Sequence, residues 1–198
     1  MSPTADRSVK RVYNDILADD SATYLAAYQG LADAEVVAKK EGDEGVKALA
    51  LIGPAYLKAR SVAARYVKDV ALPETLKSLT TDTDRKTAIG ELLSILDDND
   101  EENDWAKELM TSVPGEPRAF GELAPEAIRE ISEWTAANVA LSKAVRKRAE
   151  AFGAAYEAYL EFKDVVRNTY GPKSIEYRRI HLRKNGKLAV DDVEPVAT

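Results

Sequence analysis

The densest run of oxygen ligands in the chain is DDNDEEND, Asp97 to Asp104. Hard cations such as calcium are held by several carboxylates presented from one loop. Counted from Asp97 against the calcium-loop spacing, the ligand positions fall on Asp97, Asn99, Glu101 and Glu108, all oxygen donors. The position where the loop turns sharply and requires glycine is Glu102. The run is therefore expected to be a solvated acidic segment between helices, with these four residues as its candidate metal ligands.

A second cluster is basic. The only histidine, His181, lies in YRRIHLRKNGK among Arg178, Arg179, Arg183 and Lys184. These five side chains form a candidate contact for a small anion such as phosphate, beside the plainer expectation of a solvated basic surface. A further group, Lys143, Arg146, Lys147 and Arg148, is followed on the same segment by Glu150, Glu157, Glu161 and Asp164. No aromatic residue interleaves with it as a base-stacking platform would need, so pairing with acids of neighbouring helices is expected and nucleic acid is not the expected partner.

The third group is aromatic, since nine tyrosines stand against three phenylalanines. Tyr24, Tyr28, Tyr56, Tyr156 and Tyr159 fall on or beside apolar seams, next to small residues such as Ala27, Ala63 and Ala155. They are candidates to line a polar pocket for a small molecule, each buried hydroxyl then needing a partner. The competing expectation is that the hydroxyls reach past the helix edge to water.

What is missing narrows the chemistry further. With no cysteine, disulfide scaffolds, iron–sulfur clusters and thiol nucleophiles are excluded, and with one histidine a multi-histidine zinc site cannot be built. No Glu-x-x-His pair supports a two-metal bundle centre, and phosphate-loop, dinucleotide and serine-hydrolase motifs do not occur. No cofactor is expected. The functional expectation is a non-enzymatic interaction or structural module, acting on a protein partner or on copies of itself. The alternative is a small-ligand or metal-binding bundle that uses the tyrosine seam or the acidic run.

The opening residues lack the apolar run of a secretory signal, and the longest uncharged apolar segment, Ala48 to Leu57, is ten residues and carries Gly53 and Pro54. A cytoplasmic protein without membrane contact is expected. Charge is uneven along the chain: Met1 to Ser142 holds 16 Lys/Arg against 26 Asp/Glu, whereas Lys143 to Lys187 holds 12 against 5. Pairing of an acidic helix surface with a basic one inside the same fold accounts for this, the other reading being an anionic partner.

Positioning these groups falls to helices. Apolar residues recur at steps of three and four with almost no alternation of period two. Val9, Val12, Ile16, Tyr24, Ala27, Leu31, Ala34 and Ala38 form one stripe, with a helix boundary expected near Asp19 to Ser21. Gly42 to Gly45 predicts a turn, a second helix then runs to Pro73 with a kink at Gly53–Pro54, and a third starts at Asp82 or Asp84. A short helix around Trp105, Leu109 and Met110 precedes a loop from Val113 to Ala124. The last long helix opens at Pro125 and closes at Gly171–Pro172.

The string YGPKSIEYRRIHLRKNGK, Tyr170 to Lys187, resembles the closing motif of uncharacterised bacterial helical proteins, an aromatic-Gly-Pro-x-Ser-x-Glu-Tyr element before a basic stretch. It covers about a tenth of the chain, and the resemblance implies a four-helix bundle without an assigned activity. Periodicity and turns agree on an all-α fold, an elongated antiparallel four-helix up-and-down bundle over residues 1–182, with a disordered tail over 183–198.

Overall fold

The computed structural model describes the backbone of residues 3–101 and 103–180, and the side chains from Val9 onward within those ranges. The described residues form six helices and no strand: α1 Pro3–Ile16, α2 Ala18–Tyr66, α3 Asp82–Asp100, α4 Asp104–Met110, α5 Phe120–Tyr170 and α6 Ile175–Arg179. None of these helices is long and apolar enough to cross a membrane. The tail over 183–198, and His181, lie outside the described residues.

The expected turn at Gly42–Gly45 is absent, and α2 runs straight through it. These two glycines admit a neighbour instead of bending the chain. A Cβ on Gly45 would lie 2.8 Å from Cε3 of Trp134, and one on Gly42 would lie 3.3 Å from its Nε1, so the indole packs directly on the helix backbone. The helix also continues past Gly53–Pro54, and it ends at Tyr66, short of Pro73. The following strap, 67–81, is tied back to α2 by its carbonyls: Tyr56 Oη donates to Glu74 O at 2.6 Å and Arg60 Nε donates to Pro73 O at 2.6 Å. Near the start of the chain, α1 gives way to α2 at Leu17, a turn earlier than expected, with Ser21 N still donating to Leu17 O at 3.0 Å.

Other boundaries follow local chemistry. Thr81 rather than Asp82 or Asp84 is the N-cap of α3: its Oγ1 accepts from Asp84 N at 3.1 Å and donates to Asp84 Oδ2 at 2.6 Å. The long last helix α5 starts at Phe120 rather than Pro125. Gly121 lies in the first turn of α5 and its missing Cβ admits Met110, since a Cβ there would sit 2.6 Å from a backbone oxygen. At its other end Gly171 takes φ +90°, the left-handed cap, and Ser174 Oγ accepts from Tyr177 N at 3.1 Å to start α6.

The chain divides into two compact units, unit 1 comprising residues 1–32 and 143–198 and unit 2 residues 33–142. In unit 2 the core is continuous: Ile52, Tyr56, Ala59 and Ala63 of α2 meet Ile89, Leu92 and Leu96 of α3, Leu109 of α4, and Phe120, Ala124, Ala127 and Ile131 of α5. Tyr56 sits edge-on to Phe120 at 5.9 Å while Gly45 sits under Trp134, so α2 and α5 run antiparallel here. Unit 1 buries smaller groups, Ala27 and Leu31 of α2 with Ala151, Ala158, Phe162 and Val166 of α5.

Candidate interaction surface

Four of the five candidate tyrosines come together in unit 1. Tyr24 and Tyr28, one turn apart on α2, have ring centroids 6.4 Å apart, and Tyr24 lies 5.7 Å from Phe152 of α5. Phe152 stacks on Tyr156 at 6.0 Å, which lies 6.3 Å from Tyr159. The small residues Ala27 and Ala151, buried beside this row, let the two helices approach. The row therefore runs Tyr28, Tyr24, Phe152, Tyr156, Tyr159. It is not sealed: Tyr28 is 55% exposed, Phe152 49% and Tyr156 48%. Leu25, three residues before Tyr28, and Leu160, four after Tyr156, are exposed as well. At its last ring Tyr159 Oη donates to Ile180 O at 3.0 Å, anchoring the residue that follows α6. Phe152 was not singled out by residue type, although its place one turn before Tyr156 was the available signal.

Tyr56 is elsewhere, in the core of unit 2. Burial pushes its hydroxyl up to about 12, and its bond to the Glu74 carbonyl gives it a structural place.

The basic candidates divide. Arg178 and Arg179 are exposed on α6, while His181, Arg183 and Lys184 lie outside the described residues. Lys163 Nζ stands 5.9 Å from the ring centre of Tyr177, at the limit of a cation–π contact. On α5, Arg146 pairs with Glu150 of its own helix at 2.9 Å, one turn on, rather than with an acid of a neighbouring helix as expected.

The acidic run is largely helical. Asp97 and Asn99 belong to the last turn of α3, Glu101 caps it and Glu108 belongs to α4. Asn99 Nδ2 donates to Ile95 O at 2.7 Å, so that side chain is engaged with its own helix. Carboxylates converge at another place in unit 2. Oxygens of Glu41 and Glu44 of α2 and Glu130 of α5 lie within 4.8 Å of one another, and these are the side chains that could hold a cation. Lys40 already answers part of that charge, at 3.2 Å from both Glu41 and Glu44, and the Glu41 bond holds its ammonium above the usual value. Arg129 pairs with Glu130 Oε1, while Glu130 Oε2 is buried without a hydrogen-bond partner.

No family model, curated protein or solved structure matches the chain. Function has to be argued from its side chains.

Unit 2 also has concave sites, one of them between the strap and α3, bordered by Leu72, Leu79, Ala88 and Ile95. In unit 2 the segment 111–119, which joins α4 to α5, roofs a cavity of about 710 Å³. Glu122 holds this segment: its Oε1 accepts from Ser112 N at 2.8 Å and from Ser112 Oγ at 2.7 Å. Those bonds, the backbone one first, hold the Glu122 carboxyl below its usual range. Arg118 closes the other side, donating to Glu126 Oε2 at 2.8 Å and to Glu122 O at 3.1 Å. The loop pattern of 113–124 carries no local signal of a cavity, because the cavity needs the fold to bring α2 beneath it.

Proposed function

We propose that the protein is a non-enzymatic helical interaction module whose partner surface is the aromatic row of unit 1. The observation that carries this reading is the half-exposure of three rings of one row, Tyr28, Phe152 and Tyr156, with Tyr24 joining the first to the second. Aromatic side chains carry large apolar area at small entropic cost, and contiguous exposed apolar patches on folded proteins mark association surfaces. Their hydroxyls add hydrogen-bonding capacity at the rim, which suits association with another protein surface. The first partner to test is a second copy of the chain. A four-helix up-and-down topology and a cytoplasmic location belong to the same proposal, and the topology is supported by the order of contacts within each unit, Tyr13 on Phe162 then Tyr24 on Phe152 in unit 1, and Gly45 under Trp134 then Tyr56 on Phe120 in unit 2.

Sedimentation velocity over a concentration series tests the reading, with a photo-crosslinker in place of Tyr156. The wild type is expected to form a reversible dimer, and the crosslinker-bearing chain to crosslink to a second copy through position 156. The triple variant Tyr28→Ser, Phe152→Ser, Tyr156→Ser should remain monomeric with its helical content retained. A monomeric wild type without crosslinks would overturn it. The alternative, a small-molecule site along the same tyrosines, predicts a thermal shift with a single compound that the triple variant loses.

A further inference from the structure

The cavity beneath residues 111–119 has a polar composition that selects a ligand class. Its volume of about 710 Å³ lies within the range of small-molecule sites. Its wall is mostly apolar, with Leu51 and Ala55 of α2, Leu109 of α4 and Phe120 and Leu123 of α5. Two of the more exposed apolar side chains of unit 2, Leu51 at 62% and Val113 at 59%, border this one site.

Sorting the polar wall by what each group already bonds separates structure from recognition. Ser112 is spent on Glu122, and Arg118 on Glu126 and the Glu122 carbonyl. The side chains of Lys58, Glu108 and Glu116 line the cavity without a hydrogen bond or ion pair among the described residues. Two uncommitted carboxylates and one uncommitted ammonium thus border the cavity. Unit 2 as a whole carries 22 Asp/Glu against 13 Lys/Arg, so its field attracts cations and repels anions.

We propose that this cavity binds an amphiphilic amine, with the apolar body against Leu51, Ala55, Phe120 and Leu123 and the protonated amino group between Glu108 and Glu116. A neutral amphiphile would gain nothing from the two exposed carboxylates, and an anionic one would add a like charge beside them. Lys58 stands at the same wall as the group that weakens the site, so its removal tightens amine binding. This inference is independent of the aromatic row, which lies in unit 1.

Titration calorimetry with dodecylamine, dodecanoate and dodecanol, each below its micelle concentration, tests it. Dodecylamine is expected to bind one per chain and roughly tenfold or more tighter than dodecanoate, weakening as salt is raised. Glu108→Gln with Glu116→Gln should bring the two ligands to within about threefold of each other, the loss of charge selection. Asp69→Asn with Asp98→Asn removes the same charge from exposed positions away from the cavity, and should leave the preference intact. Ala55→Trp fills the floor and should abolish binding, with the melt recorded to confirm folding. Both charge variants alter only exposed side chains, so they decide the matter even where the tryptophan variant unfolds. Equal or tighter binding of dodecanoate, absence of saturable amine binding, or an amine preference unchanged in the Glu108/Glu116 variant would overturn the proposal.

Discussion

Single side chains already distinguish positions that the sequence treats alike. Gly45 and Gly30 are both helical glycines, yet a Cβ on Gly45 meets Trp134 at 2.8 Å while one on Gly30 meets nothing within 4 Å. Gly45→Ala is expected to destabilise by about 1–3 kcal/mol, because the indole must move off the helix backbone. Gly30→Ala should stabilise by about 0.4–1 kcal/mol through the unfolded chain. Urea titration of both variants checks the pair of signs. Tyr56 gives a pH prediction. Its native value is about 12 against an ordinary 10.0, so the native state keeps a proton that the unfolded chain releases. Stability from this group is complete below pH 10 and is lost as the pH rises toward 12, with a slope of at most about 1.4 kcal/mol per unit. Tyr56→Phe should flatten that part of the profile. It should also lower stability at neutral pH by about 1 kcal/mol, since the Glu74 carbonyl loses its donor.

Helices show where sequence periodicity suffices and where it does not. The N-cap of α6 and the close of α5 at Gly171 were legible because their signals, Ser174 and Gly-Pro, act on residues within one turn. The expected turn at Gly42–Gly45 was misread because the group that needs those glycines, Trp134, is some ninety residues away in the chain. The same limit applies to the site: Tyr24, Tyr28, Tyr156 and Tyr159 were recognisable by type and spacing, but nothing local separates them from Tyr56. Pro54 lies inside α2 on an exposed position and supplies no amide to the carbonyl one turn earlier. Pro54→Ala is therefore expected to raise the melting temperature, by an amount corresponding to about 1–3 kcal/mol. The Glu122 bonds to Ser112 favour the ionised carboxyl, so they weaken as pH falls through and below the ordinary carboxylate range. Hydrogen exchange in segment 111–119 should accelerate there, and Glu122→Gln should remove that acid dependence.

For the whole chain, the two units differ in what they bury. Unit 2 closes on large branched and aromatic groups such as Ile52, Tyr56, Ile89, Leu92 and Phe120, whereas the described core of unit 1 is mainly alanine around Leu31, Phe162 and Val166. Less apolar area removed from water means a smaller free energy of local opening. Amide exchange is therefore expected to be faster in α1, α6 and the residue 143–170 portion of α5 than in α3 and the residue 46–63 portion of α2. Uniform protection across these segments would contradict it.

The arrangement of rings has an optical consequence. Both tryptophans, Trp105 stacked on Tyr66 at 5.0 Å and Trp134 lying on Gly45, belong to unit 2. Seven of the nine tyrosines belong to unit 1, which has no tryptophan. Emission excited selectively in the indoles therefore reports the opening of one unit, while ultraviolet absorbance of phenol reports chiefly the other. A denaturation followed by both signals carries its own internal comparison: coincident curves mean that the units unfold together, and separated ones rank them without any label being attached.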